Sequence, residues 1–451
     1  MSEKEGARGR DSGRAREVRD SRDASRPAAG PVPVRAPRGS HDANDAERVS
    51  APHEPRRRAS ALHRLAAGLL VLAAIGGASV GLHSLALAHT RPPARVQAWE
   101  WRVPANFPQP RVPKANRMSR EKVAVGRRLF YDARLSGNGR QSCASCHRPE
   151  LSFTDGRARA VGSTGEVHPR NAQSLINVAY NKTLTWANPA LVTLERQMEV
   201  PLFGTDPVEM GVTDANRDRV LKRIADDRWY ARRFRGAFPG ARRTVSWTTV
   251  IQSIAAFQRS IVVAGSRYDR YLAGRARLTA PQRRGMNLFM GEQAECHHCH
   301  GTFIFNDQAT FVGAADEPPL FHNTGLYNVG GTGAFPEPNR GVFELTGRAS
   351  DMGAFRAPSL RDVAKTAPYM HDGSIKTLEE AVDHYASGGR VIAEGPNAGD
   401  GRANPYKDPL IAAIRLDARD KADLVAFLKA LSGPDLSRDR RFSDPFRARR
   451  R

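Results

Sequence analysis

The chain contains four cysteines, and all of them lie in two Cys-x-x-Cys-His sequences, Cys143–His147 (CASCH) and Cys296–His300 (CHHCH). This is the attachment sequence for c-type haem, in which both thiols bond to the porphyrin vinyl groups and the next imidazole becomes the proximal iron ligand. A zinc site needs four ligands, and CASCH offers three with no second cysteine pair nearby. A redox dithiol would not need a histidine in both copies. The spacing therefore predicts two covalently bound haem c groups.

Each predicted haem site uses two cysteines and one histidine. The attachment residues are Cys143, Cys146 and His147 for the first haem, and Cys296, Cys299 and His300 for the second. The second motif contains two additional histidines, His297 and His298, which we interpret as solvent-exposed loop residues.

The sequence upstream of each motif is also repeated. Gly126–Phe130 (GRRLF) precedes the first motif and Gly285–Phe289 (GMNLF) the second, each within a helical pattern. The second of these helices is predicted to begin after Thr279, with Gln282 completing a capping box. Near the C-terminus, an apolar stripe at helical spacing predicts a closing helix that begins after Asp417.

These signals predict a mainly α-helical protein in which two cytochrome c-like haem domains pack together, with few strands. We expect an N-terminal haem domain over residues 95–265 and a C-terminal haem domain over residues 266–435, followed by a basic tail over residues 436–451. The length of 451 residues is sufficient for two domains of ordinary size plus extensions.

The formal net charge is +23, but the arginines are spread along the whole chain. The sequence has no compact basic block with interleaved aromatic residues, so nucleic-acid binding is not predicted. A basic surface could still attract an acidic partner protein.

The N-terminal region predicts export. Residues 1–64 have the composition of a disordered basic leader. Residues 65–88 begin with an uncharged apolar run and end in Ala86–Ala88, a small-x-small cleavage pattern. We interpret this segment as a signal peptide, and an uncleaved membrane anchor is the alternative because the run reaches the lower limit for spanning. One hypothesis is that the true start lies downstream, near Val49. In either case the rest of the chain is predicted to act in the periplasm.

Further motifs follow in a defined order between and after the haem sites. They are Trp186–Pro189 (WANP), Glu195–Phe203 (ERQMEVPLF), Pro207–Gly211 (PVEMG), Phe355–Arg361 (FRAPSLR), Thr366–Gly373 (TAPYMHDG) and Ala381–Gly389 (AVDHYASGG). Together with the two haem sites, these motifs resemble the bacterial di-haem cytochrome c peroxidases. Within that family the resemblance is closest to the MauG-type and MbnH-like enzymes, and it spans residues 120–433.

The resemblance implies that the first haem reacts with peroxide and has no sixth protein ligand. Gln197, Pro201 and Glu209 match the distal pocket of the family. Glu209 is expected to move a proton between the peroxide oxygens, with Gln197 holding water or peroxide. Trp186 matches an indole that the family places between the haems, where it acts as an electron relay. We interpret His168 as a surface histidine, and a role as a ligand of the first haem is the alternative.

The sixth ligand of the second haem separates the branches of the family, with methionine in the classical peroxidases and tyrosine in MauG. The matching position here is Tyr385. An anionic oxygen ligand stabilises oxidised iron, whereas a thioether favours reduced iron. The rivals for this role are His384, Met370 and Met352. His371 is expected to have a supporting or structural role.

The resemblance also implies one calcium ion between the domains. Asn171 would offer its side-chain oxygen, and Thr366 and Pro368 their backbone carbonyls, which are ligand types that calcium prefers. The alternative for Asn171 is an ordinary turn residue.

The leading hypothesis is a haem-dependent oxidase. It would use hydrogen peroxide to form a two-electron-oxidised di-haem state that oxidises an aromatic residue, expected to be tryptophan, of an exported partner protein. The first alternative is a di-haem cytochrome c peroxidase that reduces peroxide with electrons from a small cytochrome c or a cupredoxin. The second alternative is a non-enzymatic electron carrier in which both irons have six ligands.

Overall fold

The computed structural model of the chain describes residues 97–104, 106–412 and 414–447. The predicted leader at 1–64 and the export segment at 65–88 lie outside these residues. Among the residues that are described, no helix is both long enough and apolar enough to cross a membrane.

Helices dominate the described residues. In chain order they are α1 (Arg120–Tyr131), α2 (Cys143–Cys146), α3 (Leu194–Gln197), α4 (Glu199–Phe203), α5 (Arg217–Ala225), α6 (Arg228–Ala237), α7 (Trp247–Ser260), α8 (Arg267–Leu272), α9 (Ala280–Phe289), α10 (Cys296–His300), α11 (Phe343–Thr346), α12 (Leu378–Ala386), α13 (Pro409–Ala412) and α14 (Ala418–Ala430). Apart from isolated bridges, strand structure in the described part is one antiparallel pair, β1 (Val391–Ile392) with β2 (Gly399–Asp400). The prediction of a mainly helical protein with few strands is confirmed.

Local sequence sets the starts of two helices that matter for the haem sites. At α9, Thr279 Oγ1 accepts a hydrogen bond from Gln282 N, and Gln282 Oε1 accepts one from Thr279 N at 3.0 Å. Asp417 and Asp420 form the same reciprocal pair at the start of α14. These bonds satisfy backbone N–H groups that have no partner inside the helix. Both predicted helix starts are confirmed.

Each haem motif follows a helix that crosses a later helix at a glycine. Helix α1 packs on α7, and a Cβ atom added at Gly126 would lie 1.8 Å from the backbone oxygen of Ser253. Helix α9 packs on α14, and a Cβ atom added at Gly285 would lie 1.8 Å from the backbone oxygen of Asp423. Only glycine permits backbones to approach this closely. The sequence repeat is therefore also a repeat of helix packing.

Two apolar clusters surround these helix pairs. The first contains Leu129 and Phe130 of α1 together with buried residues of α5, α6 and α7. The second contains Phe289 of α9, Phe427 of α14 and Phe305 from the loop after the second motif. Full burial of such a side chain contributes about 1.5–3 kcal/mol. These clusters hold each haem motif against its helix pair.

The basic C-terminal segment returns to the first helix pair. Leu436 and Phe442 are buried in the same cluster as α1, and Tyr131 Oη donates a hydrogen bond of 2.6 Å to the backbone oxygen of Phe442. The chain beyond residue 435 thus contributes to the packing of the N-terminal part. The predicted domain boundaries after residues 265 and 435 remain predictions.

Candidate haem sites

The two haem motifs form the same local structure. His147 Nδ1 lies 2.8 Å from the backbone oxygen of Phe153, and His300 Nδ1 lies 2.9 Å from the backbone oxygen of Phe305. Because a carbonyl oxygen can only accept, each Nδ1 carries the proton and each Nε2 keeps a free lone pair. Burial lowers the pKa of both imidazoles. Each ring is therefore held neutral, in the tautomer that binds a metal through Nε2.

The cysteines of the motifs do not form disulfides. All four are free, and each pair lines a cavity together with the histidine that follows it. Burial raises the pKa of Cys143 to about 12, of Cys146 to about 11 and of Cys296 to about 12. Protonated thiols at the wall of a cavity are compatible with covalent attachment of a group that fills it.

The first cavity, which contains the CASCH motif, is also lined by the residues predicted for a distal pocket. Gln197 ends α3, Pro201 lies in α4, and Glu209 lies in the loop that follows; all three line this cavity with His147. The loop is held against α4 because Met210 N donates a hydrogen bond of 2.9 Å to the backbone oxygen of Pro201. The fold therefore assembles these three residues around one cavity, while their catalytic roles remain predictions.

Glu209 places an acid–base group at the wall of the first cavity, with 38% of its side chain exposed. Desolvation raises the pKa of its carboxyl group to about 7, so both protonation states are accessible near neutral pH. His168 Nδ1 lies 4.0 Å from Glu209 Oε1, and only 12% of the His168 side chain is exposed. The interpretation of His168 as a surface histidine is therefore wrong. A bridge between Val161 and Val167 turns the chain back and places His168 at the wall of the first cavity.

Tyr385 and His384 are adjacent on α12 but have different surroundings. Tyr385 lines the second cavity, which contains the CHHCH motif, together with His300, and burial raises the pKa of its hydroxyl group. His384 lies outside that lining, and its Nε2 is 3.3 Å from a threonine hydroxyl. Successive residues of an α-helix point about 100° apart, and of this pair only Tyr385 lines the cavity. Of the methionine rivals, Met370 lines the cavity and Met352 does not.

Trp186 lies between the two cavities and lines both of them. Its indole Nε1 donates a hydrogen bond of 2.9 Å to the backbone oxygen of Asn171. Its backbone oxygen accepts a hydrogen bond of 2.8 Å from Arg356 N. Side chain and backbone are therefore both anchored, in a position that an electron relay between two haems would require. The relay role itself remains a prediction.

Arg356, which sequence reasoning did not single out, also lines both cavities. The residue is 4% exposed, and its guanidinium donates to the Thr185 backbone oxygen at 3.1 Å and to the Gln173 side-chain oxygen. Its Nη1 has no hydrogen-bond partner among the described residues. Desolvation lowers its pKa to about 10, opposed by the Asp307 carboxylate, so it is charged at neutral pH. A buried cation with an unused donor suits a carboxylate ligand such as a haem propionate.

Asn171 connects Trp186 to the predicted calcium site. Its side-chain nitrogen donates to the backbone oxygen of Arg157 at 2.8 Å and lies 3.4 Å from that of Pro368. A half-turn of the amide would bring its oxygen among these carbonyls, which is repulsive unless a cation lies between them. Thr366 lines the same cavity as Asn171 and Pro368. Asn171 and Pro368 thus meet, Thr366 lines the same cavity, and calcium binding remains a prediction.

His371 has the buried position expected of a supporting residue. Its ring stacks on Phe355 with centroids 3.7 Å apart and planes 10° apart. Its backbone oxygen accepts a hydrogen bond of 2.7 Å from Asn171 N. Burial lowers the pKa of its imidazole to about 4, so the ring is neutral at the wall of the second cavity.

The residues present fit two haem c groups. Each cavity offers two thiols for covalent attachment and one histidine Nε2 for iron. The second cavity has mainly apolar walls, formed by Phe289, Leu326, Leu378, Val382, Leu424 and Leu428. Between the cavities, Arg356 supplies a buried positive charge for propionates. We infer that the cavities are the haem sites.

Sequence comparison agrees with this geometry. Residues 120–277 match the family described as di-haem cytochrome c peroxidase. The chain is 34% identical over 334 residues to the methylamine utilization protein MauG of Methylorubrum extorquens. This alignment covers 73% of this chain and 83% of MauG. This chain belongs to the di-haem cytochrome c peroxidase family. It is also 36% identical over 371 residues to the cytochrome-c peroxidase IdrP1 of Denitromonas iodatirespirans, covering 77% and 92% of the two chains.

Structural comparison extends the similarity. The crystal structure of a MauG-like protein associated with microbial copper homeostasis superposes on this chain with a TM-score of 0.76 and 55% sequence identity. The superposition covers 78% of this chain and 100% of the MauG-like chain. As a member of the di-haem peroxidase family, this chain is a haem-dependent oxidoreductase with two haem c groups. The family resemblance, the enzymatic nature and the two haem c cofactors are thereby confirmed.

One charged cluster of this di-haem enzyme escaped sequence analysis. His322 Nε2 lies 2.6 Å from Asp307 Oδ2, and its Nδ1 lies 2.8 Å from Asp408 Oδ2. Burial lowers the pKa of His322, but its hydrogen bonds to the carboxylates of Asp307 and Asp408 oppose burial and raise the pKa above its ordinary value. The Cys299 sulfur is 3.7 Å from Nδ1. Since Asp408 is 86 positions from His322, no local motif could have revealed this imidazolium beside the second haem site.

Proposed function

We propose that this di-haem enzyme is a MauG-type oxidase, which uses hydrogen peroxide to oxidise an aromatic residue, expected to be tryptophan, of a separate exported protein. The observation that carries the proposal is Tyr385 at the wall of the cavity that contains His300. A tyrosine ligand favours oxidised iron, whereas the methionine of a classical peroxidase would favour reduced iron. A tyrosine therefore suits a second haem that holds oxidising equivalents.

The bound haems would supply an iron that reacts with peroxide and a store for two oxidising equivalents. Glu209 would take the proton from one peroxide oxygen and return it to the other, so that the departing oxygen leaves as water. Its pKa near 7 supports this role, because the group can both accept and donate at neutral pH. Gln197 would hold the peroxide by hydrogen bonds, and Pro201 would leave the distal side without a competing ligand.

Trp186 would carry electrons between the two haem sites. Its contact with both cavities supports this assignment, and its hydrogen bond to Asn171 keeps the indole in one orientation. Arg356 would bind propionates on either side of the indole. With electrons passing through these groups, the partner protein would not need to reach the peroxide site.

The partner is proposed to be an exported protein with an oxidisable tryptophan. The 55% identical MauG-like protein is associated with copper homeostasis, so a copper-handling partner is the first class to test. The enzyme itself is proposed to be periplasmic, because c-type haem attachment and the predicted export segment both point outside the cytoplasm. One calcium ion, held by Asn171, Thr366 and Pro368, is proposed to fix the region beside Trp186.

A second candidate is a cytochrome c peroxidase that detoxifies peroxide with electrons from a small cytochrome c or cupredoxin. The 36% identity to a cytochrome-c peroxidase supports it. His168 also supports it, because this histidine lies in the first cavity at 4.0 Å from Glu209 and could close the distal side of the haem until the enzyme is reduced.

The two candidates differ in their reaction with peroxide when no reductant is present. The fully ferric holoprotein should be mixed with one equivalent of hydrogen peroxide and followed by absorption and Mössbauer spectroscopy. A long-lived product that takes up two electrons on reductive titration, with changes at both haems, is expected for the oxidase. A reaction that begins only after one haem has been reduced would instead identify a classical peroxidase.

A further inference from the structure

A cluster of metal-ligating side chains lies beside the second haem motif. It consists of Glu292 and Glu295 in the segment between α9 and α10, and of His297 and His298 in α10. Glu292, His297 and His298 line neither haem cavity. The two histidines lie between the attachment cysteines, but haem attachment does not use them. His298 is exposed, as expected, whereas His297 is partly buried, and both lie in α10 rather than in a loop. Each also faces a carboxylate.

The potential ligand atoms of Glu292, His297 and His298 all lie within 4.8 Å of one another. His297 Nε2 lies 3.5 Å from Glu292 Oε1, and His298 Nε2 lies 3.3 Å from Glu292 Oε2. Glu295 Oε2 lies 2.9 Å from His298 Nε2. The ring centroids of the two histidines are 4.1 Å apart. One carboxylate therefore faces two imidazole nitrogens, with a second carboxylate beside them.

The distances to Glu292 are compatible with shared coordination, and the 3.3 Å contact with His298 is also a long hydrogen bond. Charge-assisted hydrogen bonds between nitrogen and oxygen are about 2.7–2.9 Å long, and both Glu292 contacts exceed this. Ligands held about 2.0–2.2 Å from a tetrahedral ion lie about 3.3–3.6 Å from one another. The observed 3.3 and 3.5 Å separations match the edges of such a tetrahedron.

We propose that Glu292, His297 and His298 bind a divalent late first-row transition-metal ion, with Cu²⁺ and Zn²⁺ as the ions tested. Imidazole and carboxylate ligands suit both ions, and Cu²⁺ binds most tightly to a given set of such ligands. The Glu292 side chain is 75% exposed and that of His298 is 37% exposed, so an ion can enter from solvent. Attachment of Cys296 and Cys299 to haem would hold α10 rigid and preorganise the ligands.

The site would also act on the second haem through charge. His297 and His298 lie in the same short helix as His300. A divalent cation held there disfavours the oxidised, more positive state of the haem, because like charges repel. The reduction potential of the second haem is therefore expected to rise when the ion binds.

The test uses gel-filtered holoprotein in a non-coordinating buffer that contains calcium. Cu²⁺ is added and followed by electron paramagnetic resonance, and Zn²⁺ is added in parallel calorimetric titrations. We expect one equivalent to bind, with nitrogen coupling in the Cu²⁺ spectrum. His298→Gln and Glu292→Gln should weaken binding by at least about tenfold, the loss typical even for a residue that only supports a ligand. Glu317→Gln, at an exposed residue outside the cluster, is the matched control.

Equal affinity in all four proteins would overturn the proposal and leave adventitious surface binding only. Failure of the wild-type holoprotein to bind either ion would overturn it as well. Haem content is measured for each variant. If the His298→Gln protein contains less haem than the wild type, the binding result for Glu292→Gln decides the outcome, because Glu292 lies outside the attachment motif. The potential of the second haem gives an independent readout, with a positive shift on metal binding expected in the wild type and none in Glu292→Gln.

Discussion

The indole nitrogen of Trp186 donates a 2.9 Å hydrogen bond to the backbone oxygen of Asn171, and the side chain of that asparagine lies 3.4 Å from the backbone oxygen of Pro368. The proposed relay and the proposed calcium site therefore share one residue. A change at the calcium site is expected to alter the position of the indole, and with it the coupling between the two haem cavities.

Replacement of Trp186 by Phe should leave peroxide binding unchanged but strongly reduce oxidation of a partner protein. The physical reason is that phenylalanine is harder to oxidise than tryptophan and cannot donate the hydrogen bond to Asn171. Single-turnover kinetics with peroxide and partner would measure both steps. Trp229→Phe on α6 is the matched control, since Trp229 lines neither cavity. Unchanged partner oxidation in Trp186→Phe would remove its relay role.

Replacement of Asn171 by Ala should release calcium, whereas Asn171→Asp should retain it. Alanine removes the side-chain oxygen, while aspartate supplies one with a negative charge. The backbone oxygen that accepts from Trp186 is present in both variants, so the comparison isolates the side chain. Calcium content after gel filtration, measured by atomic emission, gives the result. Equal calcium content in the two variants would contradict the proposed ligand set.

Replacement of Glu209 by Gln should slow peroxide cleavage by about 100-fold or more, the usual contribution of general acid–base catalysis. The wild-type rate should rise as pH increases through about 7, because only the ionised carboxyl can accept the first proton from peroxide. The glutamine variant should lose this inflection. Stopped-flow measurements between pH 5 and 9 test both points.

The matched control for Glu209 is Glu199→Gln. Glu199 lies in α4 with Pro201, is paired with Arg196 and does not line the first cavity. Its variant should keep both the rate and the pH inflection. If the Glu209 variant behaved in the same way, the acid–base assignment would be wrong.

Replacement of Tyr385 by Phe should change the ferric spectrum of the second haem, because the phenyl ring offers no oxygen to iron. His384→Gln should leave that spectrum unchanged, since His384 lies outside the lining of the second cavity. Electron paramagnetic resonance and resonance Raman spectra of the oxidised variants distinguish the two. A changed spectrum in His384→Gln but not in Tyr385→Phe would assign the ligand to His384. An unchanged spectrum in both variants would leave Met370 as the candidate ligand.

Replacement of Gly285 by Ala should lower the free energy of unfolding by about 1–3 kcal/mol, the usual cost of overpacking. The added methyl would lie 1.8 Å from the backbone oxygen of Asp423 and must push α9 from α14. Gly236→Ala is the matched control, because that position in α6 has free space and alanine favours helix there by about 0.5–1 kcal/mol. Denaturant unfolding of the holoproteins measures the free energy of unfolding of each variant. An equal decrease in both variants would exclude the packing explanation.

Much of the fold near each haem site follows from short sequence patterns. The two Cys-x-x-Cys-His motifs specify covalent attachment, and the capping residues Thr279 and Asp417 mark helix starts, because these interactions involve residues only a few positions apart. Gln197, Pro201 and Glu209 could be proposed as a set only through the resemblance to the family, because their spacing alone does not distinguish a pocket from a surface loop.

Contacts between distant segments were not accessible in this way. Arg356 enters the site through backbone pairing with Trp186, 170 positions earlier in the chain. His322 is charged because Asp307 and Asp408 converge on it from separate loops. His168 was misjudged because a turn around Val161 and Val167 carries it from a polar segment to the first cavity. None of these environments has a local signature.

The sequence by itself determined the two haem attachment sites and the helices that precede them, because covalent spacing and helix capping are local. Only the tertiary structure decided which of Tyr385 and His384 faces the second cavity. Neighbouring residues on a helix differ in direction by about 100°, and the packing of α12 against the rest of the fold selects the side chain that points inward. Tertiary packing also places Trp186 and Arg356 between the two cavities. The sequence predicted the two haem motifs in these cavities, but it did not show that the cavities are neighbours.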